Sequence, residues 1–239
     1  MTPNERTNLI FVLYELLSVI ESKCGGARYL SDFKDKLSLP DRGVYFFFEP
    51  GETRFESFSG DRVVRVGTHA LKTDNRSTLW GRLRQHRGVL SGGHPGGGNH
   101  RGSVFRKHIG AALIKQKSFP VNCSYHWGKG SSSTKEIQEQ EYPIEIAVSD
   151  HIRKMPFIWI EVNDLPGPNS FRAYIERNCI ALLSNANKEK IDEQSIEWLG
   201  NHTENLSIIN SGLWNVNHVY DDHDPDFLNI FSEYISRQK

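Results

Sequence analysis

Two apolar segments place the strongest constraint on the fold of this chain. The first, GVYFFFE at 43–49, is continuous and aromatic, and the turn pair Pro50-Gly51 ends it. The second, RVVRVG at 62–67, carries three valines, and β-branched residues favour strands. Turn residues in the connecting loop predict an antiparallel pair. Arg65 interrupts the second strand. Because an unpaired buried guanidinium is costly, it either points outward from an edge strand or serves a site that needs a cation.

The segments around this pair carry mainly helical patterns. Helices are predicted over 8–22, 77–88, 103–117 and 168–185, and a further strand over 156–162. Ser77 is the predicted N-cap of the second helix, and Gly88 ends it. No element is assigned to 120–150 apart from a flexible loop at 128–135. The order predicts an α+β fold, with a small and mostly antiparallel central sheet flanked by helices.

Charge is unevenly distributed along a chain whose net charge is zero. From Arg62 to Lys117 there are twelve Lys and Arg residues and five histidines against the single acid Asp74. From Glu189 to the C-terminus there are ten acids against three Lys and Arg residues. This asymmetry predicts a surface that faces a polyanion such as nucleic acid, although sequence blocks also fold into mixed surfaces.

Targeting signals are not evident in the sequence. The longest apolar run, at 9–20, contains Glu15 and is too short to span a bilayer. The residues before it lack the features of a signal peptide. The three cysteines have no CxxC spacing, which argues against a disulfide framework or a zinc knuckle. We therefore expect a cytoplasmic protein that does not associate with membranes.

Four residues are candidates for chemistry. Arg82 and His86 are four apart, so one helix face presents a cation and an imidazole together. This pair suits a phosphate, and it also fits a solvated basic face. Glu176 in a mostly apolar helical segment is either surface patterning or a ligand for Mg²⁺. Tyr45 is either a core residue or a phenol that orients a water.

The order of these motifs resembles the GIY-YIG nuclease family, in its branch of restriction-type nucleases. The matching pieces are GVY at 43–45, RVG at 65–67, LWGRLRQH at 79–86 and FRAYIERNCIALLSN at 171–185. The resemblance implies a catalytic domain over 40–187 with insertions at 88–150. The predicted organisation also has an N-terminal helical extension at 1–39. A C-terminal extension at 188–239 is predicted to pack on the core.

The resemblance also implies a role for each matching residue. Tyr45 would activate the attacking water, Arg82 would stabilise the pentavalent phosphate, and His86 would contact that phosphate or relay a proton. Glu176 would be the sole carboxylate ligand of a divalent metal, Mg²⁺ or Mn²⁺. Asn185 is the candidate for the family's asparagine, with Asn187 as a competitor.

The chain departs from the family pattern at its second motif. Arg65 stands where relatives carry a catalytic tyrosine, and Thr68 and His69 follow the glycine. Since an arginine is a poor general base at neutral pH, we expect Arg65 to bind substrate phosphate. Proton abstraction would then fall to Tyr45, with His69 as a helper. The longer gap between the two strand motifs predicts an extended hairpin.

The function implied is a metal-dependent endonuclease that hydrolyses double-stranded DNA in restriction or defence. The alternative is a DNA-binding module with weakened catalysis. Cutting both strands suggests a homodimer or two sequential nicks. The predicted contacts to the DNA backbone are Arg84, Arg101, Arg106, Lys107 and His108. A further alternative is a metal centre at 218–224, where a polar turn before the last helix is the simpler interpretation.

Overall fold

The elements of the fold are given by a computed structural model that describes residues 3–33, 39–54, 60–117, 119–167 and 169–238. In chain order they are α1 (Pro3–Lys23), β1 (Arg28–Tyr29), β2 (Gly43–Thr53), β3 (Asp61–Gly67), α2 (Leu79–Arg87), α3 (Val104–Gln116), α4 (Val121–Ser124), α5 (Lys135–Arg153), β4 (Pro156–Glu161), α6 (Phe171–Leu183), α7 (Leu206–Ser211) and α8 (Phe227–Arg237). Short 3-10 turns lie at Leu30–Asp32, His100–Gly102 and Leu199–His202.

The strands form one sheet in the order β1-β4-β2-β3, and every neighbouring pair is antiparallel. β2 is central, so Tyr45 pairs with Gly67 of β3 on one side and with Trp159 of β4 on the other. β2 runs through Pro50 and Gly51 to Thr53, and β3 begins at Asp61. The prediction that Pro50-Gly51 ends this strand is therefore wrong, because a register shift between Phe48 and Thr53 accommodates the pair within the strand. The predicted α+β fold with a small antiparallel sheet flanked by helices is confirmed.

Helices cover both faces of the sheet. Val44, Phe46 and Phe48 of β2 pack in one core with residues of α1, α6 and α8. Tyr45 and Phe47, which point the other way, pack in a second core with residues of α2, α3 and α5. A strand buried on both faces has no solvated side to alternate with, and this explains why its sequence is a continuous apolar run.

The outer edge of β3 is covered by a segment from the C-terminal part of the chain. The Trp214 N–H donates to the carbonyl of Val64 at 2.7 Å. The side chain of Asn215 continues the pairing: its Oδ1 accepts from the Val66 N–H at 3.1 Å, and its Nδ2 donates to the Val66 carbonyl at 2.8 Å. This cover satisfies backbone groups that an exposed edge strand would leave open to other chains.

Two further local predictions need correction. The N-cap of α2 is Thr78 instead of Ser77, because the Thr78 side chain accepts from the Gly81 N–H. Helix α5, within the stretch left unassigned, has Pro143 in its interior and glutamates on its buried face. Both features weaken the apolar period on which a helix prediction depends.

None of the helices in the described part of the chain is long and apolar enough to cross a membrane. The predicted boundaries at residues 39 and 187 stay a prediction. In the structure α1 and α8 contact each other and share one core with the sheet.

Candidate active site

A chain of three hydrogen-bonded side chains begins on the central strand. Tyr45 is fully buried, and its Oη lies 2.8 Å from Nε2 of His86 on α2. Nδ1 of His86 lies 2.8 Å from Oγ of Ser103, which is the N-cap of α3. The Ser103 hydroxyl also accepts from the Arg106 N–H at 3.2 Å. The position of the phenol is therefore set jointly by β2, α2 and α3.

His86 is a neutral imidazole. Burial lowers its pKa well below the usual range, and the positive charges of Arg82, Arg65 and Arg106 lower the pKa further. A neutral imidazole donates through one nitrogen and accepts through the other. His86 can therefore hold Tyr45 and Ser103 at the same time, one on each ring nitrogen.

The two motif glycines allow close approaches around the phenol. A Cβ at Gly67 would lie 2.3 Å from Cζ and Oη of Tyr45, which is directly opposite in the register. A Cβ at Gly43 would lie 2.4 Å from the carbonyl oxygen of Ile160 on β4. Both distances exclude a side chain, so glycine is required at each position for steric reasons.

Glu176 on α6 faces the end of β3. Its Oε1 accepts from the Thr68 N–H at 3.2 Å, and within the described ranges this is the one hydrogen bond to the carboxylate. Burial raises the pKa of Glu176, while the charges of Arg65 and His218, in that order, oppose the rise. Ionised Glu176 therefore depends on nearby positive charge.

Arg65 is buried on the face of the sheet that carries Tyr45. It pairs with Phe47 in the register, its Nη1 donates to the Trp214 carbonyl at 2.8 Å, and its guanidinium lies 4.7 Å above the centre of the Phe105 ring. Its Nε is buried, and no described group accepts from it. Of the two orientations left open by the sequence, the side chain takes the one that faces inward.

Arg82 and His69 each carry a buried nitrogen that has no partner among the described residues, Nε of Arg82 and Nε2 of His69. Nη1 of Arg82 donates weakly to Gln85 Oε1 at 3.2 Å and to the Gly102 carbonyl at 3.3 Å. Nδ1 of His69 donates to the Ser77 carbonyl at 3.0 Å, which fixes the tautomer with a lone pair on Nε2.

Asn185 lies away from this group. It lies nine positions after Glu176, beyond the end of α6 at Leu183. Its Oδ1 accepts from Arg6 at 3.2 Å and from the Ile191 N–H at 3.0 Å. These bonds tie the end of α6 to α1. Asn187 is exposed with φ of 57°.

The predicted DNA contacts divide into two groups. Arg106 is fully buried in an ion pair with Glu145, and Arg101 binds Glu141 with both terminal nitrogens. These two arginines attach the 3-10 turn at His100–Gly102 and α3 to α5. In contrast, Arg84 and Lys107 are exposed and His108 is half-buried.

Three residues near the site carry no local signal for their positions. The sequence predicts Ser103 only as the start of a helix, although its hydroxyl completes the chain from Tyr45. Asn215 reaches Val66 across 149 residues of sequence, a separation that no periodicity reveals. The sequence offers His218 as part of a metal centre or of a polar turn at 218–224, and no local pattern relates it to Glu176, whose raised pKa its charge opposes.

The residues around Glu176 fit a divalent metal. The described residues contain no group of three or more His, Cys, Asp or Glu side chains that could hold one, and this includes 218–224. A cation at Glu176 would therefore be held by one carboxylate, with water and phosphate oxygens as its other ligands, as Mg²⁺ often is. The cation would also favour the ionised carboxylate that burial opposes.

Comparison with known proteins agrees with this geometry. A family model described as a GIY-YIG domain matches residues 4–239. Searches of the curated proteins and of the solved structures returned no match. The family match covers nearly the whole chain, and the GVY and RVG motifs lie side by side on β2 and β3. The chain belongs to the GIY-YIG family of nucleases.

Proposed function

We propose that the chain is an endonuclease that hydrolyses double-stranded DNA with Mg²⁺ or Mn²⁺ and acts in restriction or a related defence in the cytoplasm. The observation that carries the proposal is that the positive charges of Arg65 and Arg82 lie near the same two groups, His86 and Glu176. Arg65 from β3 and Arg82 from α2 both act on the pKa values of His86 and of Glu176. Contacts place both arginines at the Tyr45–His86 pair. Arg82 lies one helical turn before His86 on α2. Arg65 lies over the ring of Phe105, whose centre is 5.4 Å from that of the His86 ring.

The guanidinium groups of Arg65 and Arg82 suit a phosphodiester. Each has a buried Nε without an acceptor among the described residues, and an unsatisfied buried donor costs about 1–3 kcal/mol. Phosphate oxygens would accept these hydrogen bonds and neutralise the charges. Substrate binding would therefore relieve a cost that the free protein carries.

The reaction forms a bond between a water oxygen and phosphorus, and it breaks the bond from phosphorus to the 3′ oxygen. Arg65 and Arg82 would stabilise the charge that develops on the phosphoryl oxygens. Tyr45, held by His86, would orient the attacking water through its hydroxyl. A divalent metal at Glu176 would supply further positive charge to the phosphate and the leaving oxygen.

His69 has a supporting place in this proposal. Burial, followed by the charge of Arg172, lowers the pKa of His69 to about 4, which makes it a weak proton acceptor. Arg172 is fully buried and donates to the carbonyls of His69 and Ala70. The pair therefore fixes the loop after β3, where the Thr68 N–H binds Glu176.

The DNA backbone would run along the exposed basic side chains of α2 and α3. Arg84 and Lys107 are free of ion pairs with described residues, and His108 is half-buried beside Lys107. Arg101 and Arg106 would act indirectly, by holding α3 and the 3-10 turn before it against α5. Cleavage of both strands by one active site would require a homodimer or two successive nicks.

The test is plasmid nicking with purified protein and Mg²⁺ or Mn²⁺. We expect the wild type to nick, Glu176→Gln to lose activity while it still binds DNA, and the exposed Glu15→Gln to behave as wild type. Arg65 in place of the family's tyrosine favours a second candidate, a binding module without catalysis. Binding without nicking by the wild type in either metal would establish that second function and refute the first.

A further inference from the structure

We infer that His218, held by Asp221, accepts the proton of the attacking water. The inference rests on the proposed function, since it names the general base of that reaction. It assigns a catalytic role to a loop that follows α7 and lies outside the segments that resemble the family's motifs.

The other candidate bases, Tyr45 among them, are poorly suited to the task. Tyr45 is fully buried, and its hydroxyl is already hydrogen-bonded to Nε2 of His86 at 2.8 Å. His86 is fully buried among three arginine charges, and these disfavour a second proton on its ring. His69 is held neutral by burial and by Arg172. Arg65 occupies the place of the family's second tyrosine and cannot accept a proton. The site therefore contains several cations but needs a proton acceptor.

The loop that carries His218 is attached to two elements, to β3 before His218 and to the end of α6 after it. Before His218, Asn215 pairs with Val66, two residues before the Thr68 N–H that binds Glu176. After His218, the Val219 carbonyl accepts from Ser184 at 2.6 Å at the end of α6. The loop with His218 therefore bridges the end of β3 and the C-terminal end of α6, eight residues after Glu176.

The attachment continues through α6 itself. Nε of Arg177, the residue after Glu176, donates to Asp221 Oδ2 at 3.1 Å. The charge of His218 is second only to that of Arg65 in opposing the raised pKa of Glu176. Arg177 adjoins Glu176 in sequence, so its bond to Asp221, the partner of His218, brings the imidazole to the part of α6 that carries the carboxylate.

The hydrogen bond to Asp221 sets the tautomer of His218. Nδ1 lies 2.8 Å from Asp221 Oδ2, and an ionised carboxylate only accepts, so Nδ1 carries the proton. Nε2 is left with its lone pair, as in other base–carboxylate pairs. The side chain of His218 is 40% exposed, so a proton taken from substrate water can pass on to solvent.

The proton transfer balances with the bond changes at phosphorus. Nε2 takes one proton from the water as the water oxygen bonds to phosphorus and the 3′ oxygen departs. The 3′ oxygen takes a proton from solvent, and His218 releases its own proton to solvent. Asp221 keeps its charge throughout and stabilises the imidazolium that forms in between.

The test compares nicking rates of His218→Gln, Asp221→Asn and the control His202→Gln, all at saturating Mg²⁺. General bases typically contribute about 10²–10⁴-fold, so we expect His218→Gln to lose at least about 100-fold. Asp221→Asn should lose less, because the imidazole remains. DNA affinity, thermal stability and the Mg²⁺ concentration for half-maximal rate should match the wild type. The glycine variant His218→Gly should regain activity with added imidazole.

The outcomes separate this inference from the proposed function. A wild type that never nicks DNA overturns both. If the wild type nicks and His218→Gln remains within about threefold of it, only the role of His218 is refuted. A loss that excess Mg²⁺ reverses and imidazole does not would make His218 a metal ligand, which also overturns its role as a base.

Discussion

The ring of Tyr45 occupies the space that a side chain at Gly67 would need, with only 2.3 Å between its Oη and the Cβ position. The two residues face each other in the β2–β3 register. Tyr45 can therefore take this position only because residue 67 has no side chain, so the two motifs depend on each other sterically.

Gly67→Ala should reduce nicking far more than it reduces stability. The methyl group must displace the phenol, and a displacement of about 1 Å at a catalytic group can cost about 100-fold in rate. Tyr45→Phe, which keeps the ring and removes the hydroxyl, provides the comparison. The nicking rate and the thermal midpoint are measured for both variants. A Gly67→Ala enzyme that nicks at the wild-type rate would contradict the prediction.

Glu176→Gln should stabilise the metal-free protein at neutral pH. Burial raises the folded-state pKa of Glu176, so ionisation of this carboxyl opposes folding at pH values above the raised pKa. Below the unfolded pKa, near 4.5, the group is protonated in both states and the difference should vanish. Thermal unfolding of both proteins in EDTA from pH 4 to 8 measures the effect.

Mg²⁺ should stabilise the wild type and leave Glu176→Gln unchanged. A ligand at 100 times its Kd stabilises by about 2.7 kcal/mol, which corresponds to roughly 5–10 °C for a chain of this size. The readout is thermal unfolding across a Mg²⁺ titration, without DNA. Equal shifts in the two proteins would place the metal away from Glu176.

Arg65→Ala should weaken turnover, and Arg65→Lys should retain part of it. The lysine keeps a charge for the phosphate but loses the planar donor set. Both variants leave the Trp214 carbonyl without its guanidinium donor, which we expect to cost about 1–3 kcal/mol. Single-turnover nicking alongside urea unfolding separates the two effects. Full activity of Arg65→Ala would reduce this residue to a structural role.

Arg106→Ala and Arg84→Ala should behave in opposite ways. Removal of Arg106 leaves Glu145 buried without its main partner, which costs about 3–5 kcal/mol and should lower the thermal midpoint by about 6 °C or more. Arg84 is exposed, so its removal should spare stability and weaken DNA binding. The salt dependence of affinity should flatten, because each phosphate contact contributes a slope of about 0.9. An Arg84→Ala protein with unchanged salt dependence would remove this side chain from the interface.

The sequence contained enough information for the sheet, for α2 and α6, and for the family. β2 is apolar on both faces, and the Arg82–His86 spacing places both residues on one turn of helix. The buried face of α5 was hidden because Glu141 and Glu145 are compensated by Arg101 and Arg106, partners that are distant in sequence. The cover of β3 depends on a contact between Asn215 and Val66, which are 149 residues apart. Local sequence patterns cannot predict such a contact.

The cover on the edge of β3 also determines when during synthesis the site can be completed. Translation releases β2, α2 and α6 well before Trp214, whose carbonyl holds Arg65. A nascent chain that ends before residue 214 therefore lacks this anchor and leaves the edge of β3 unpaired. Completion of the site therefore waits for the segment around Trp214, and a shorter chain exposes an edge strand that can pair with other chains.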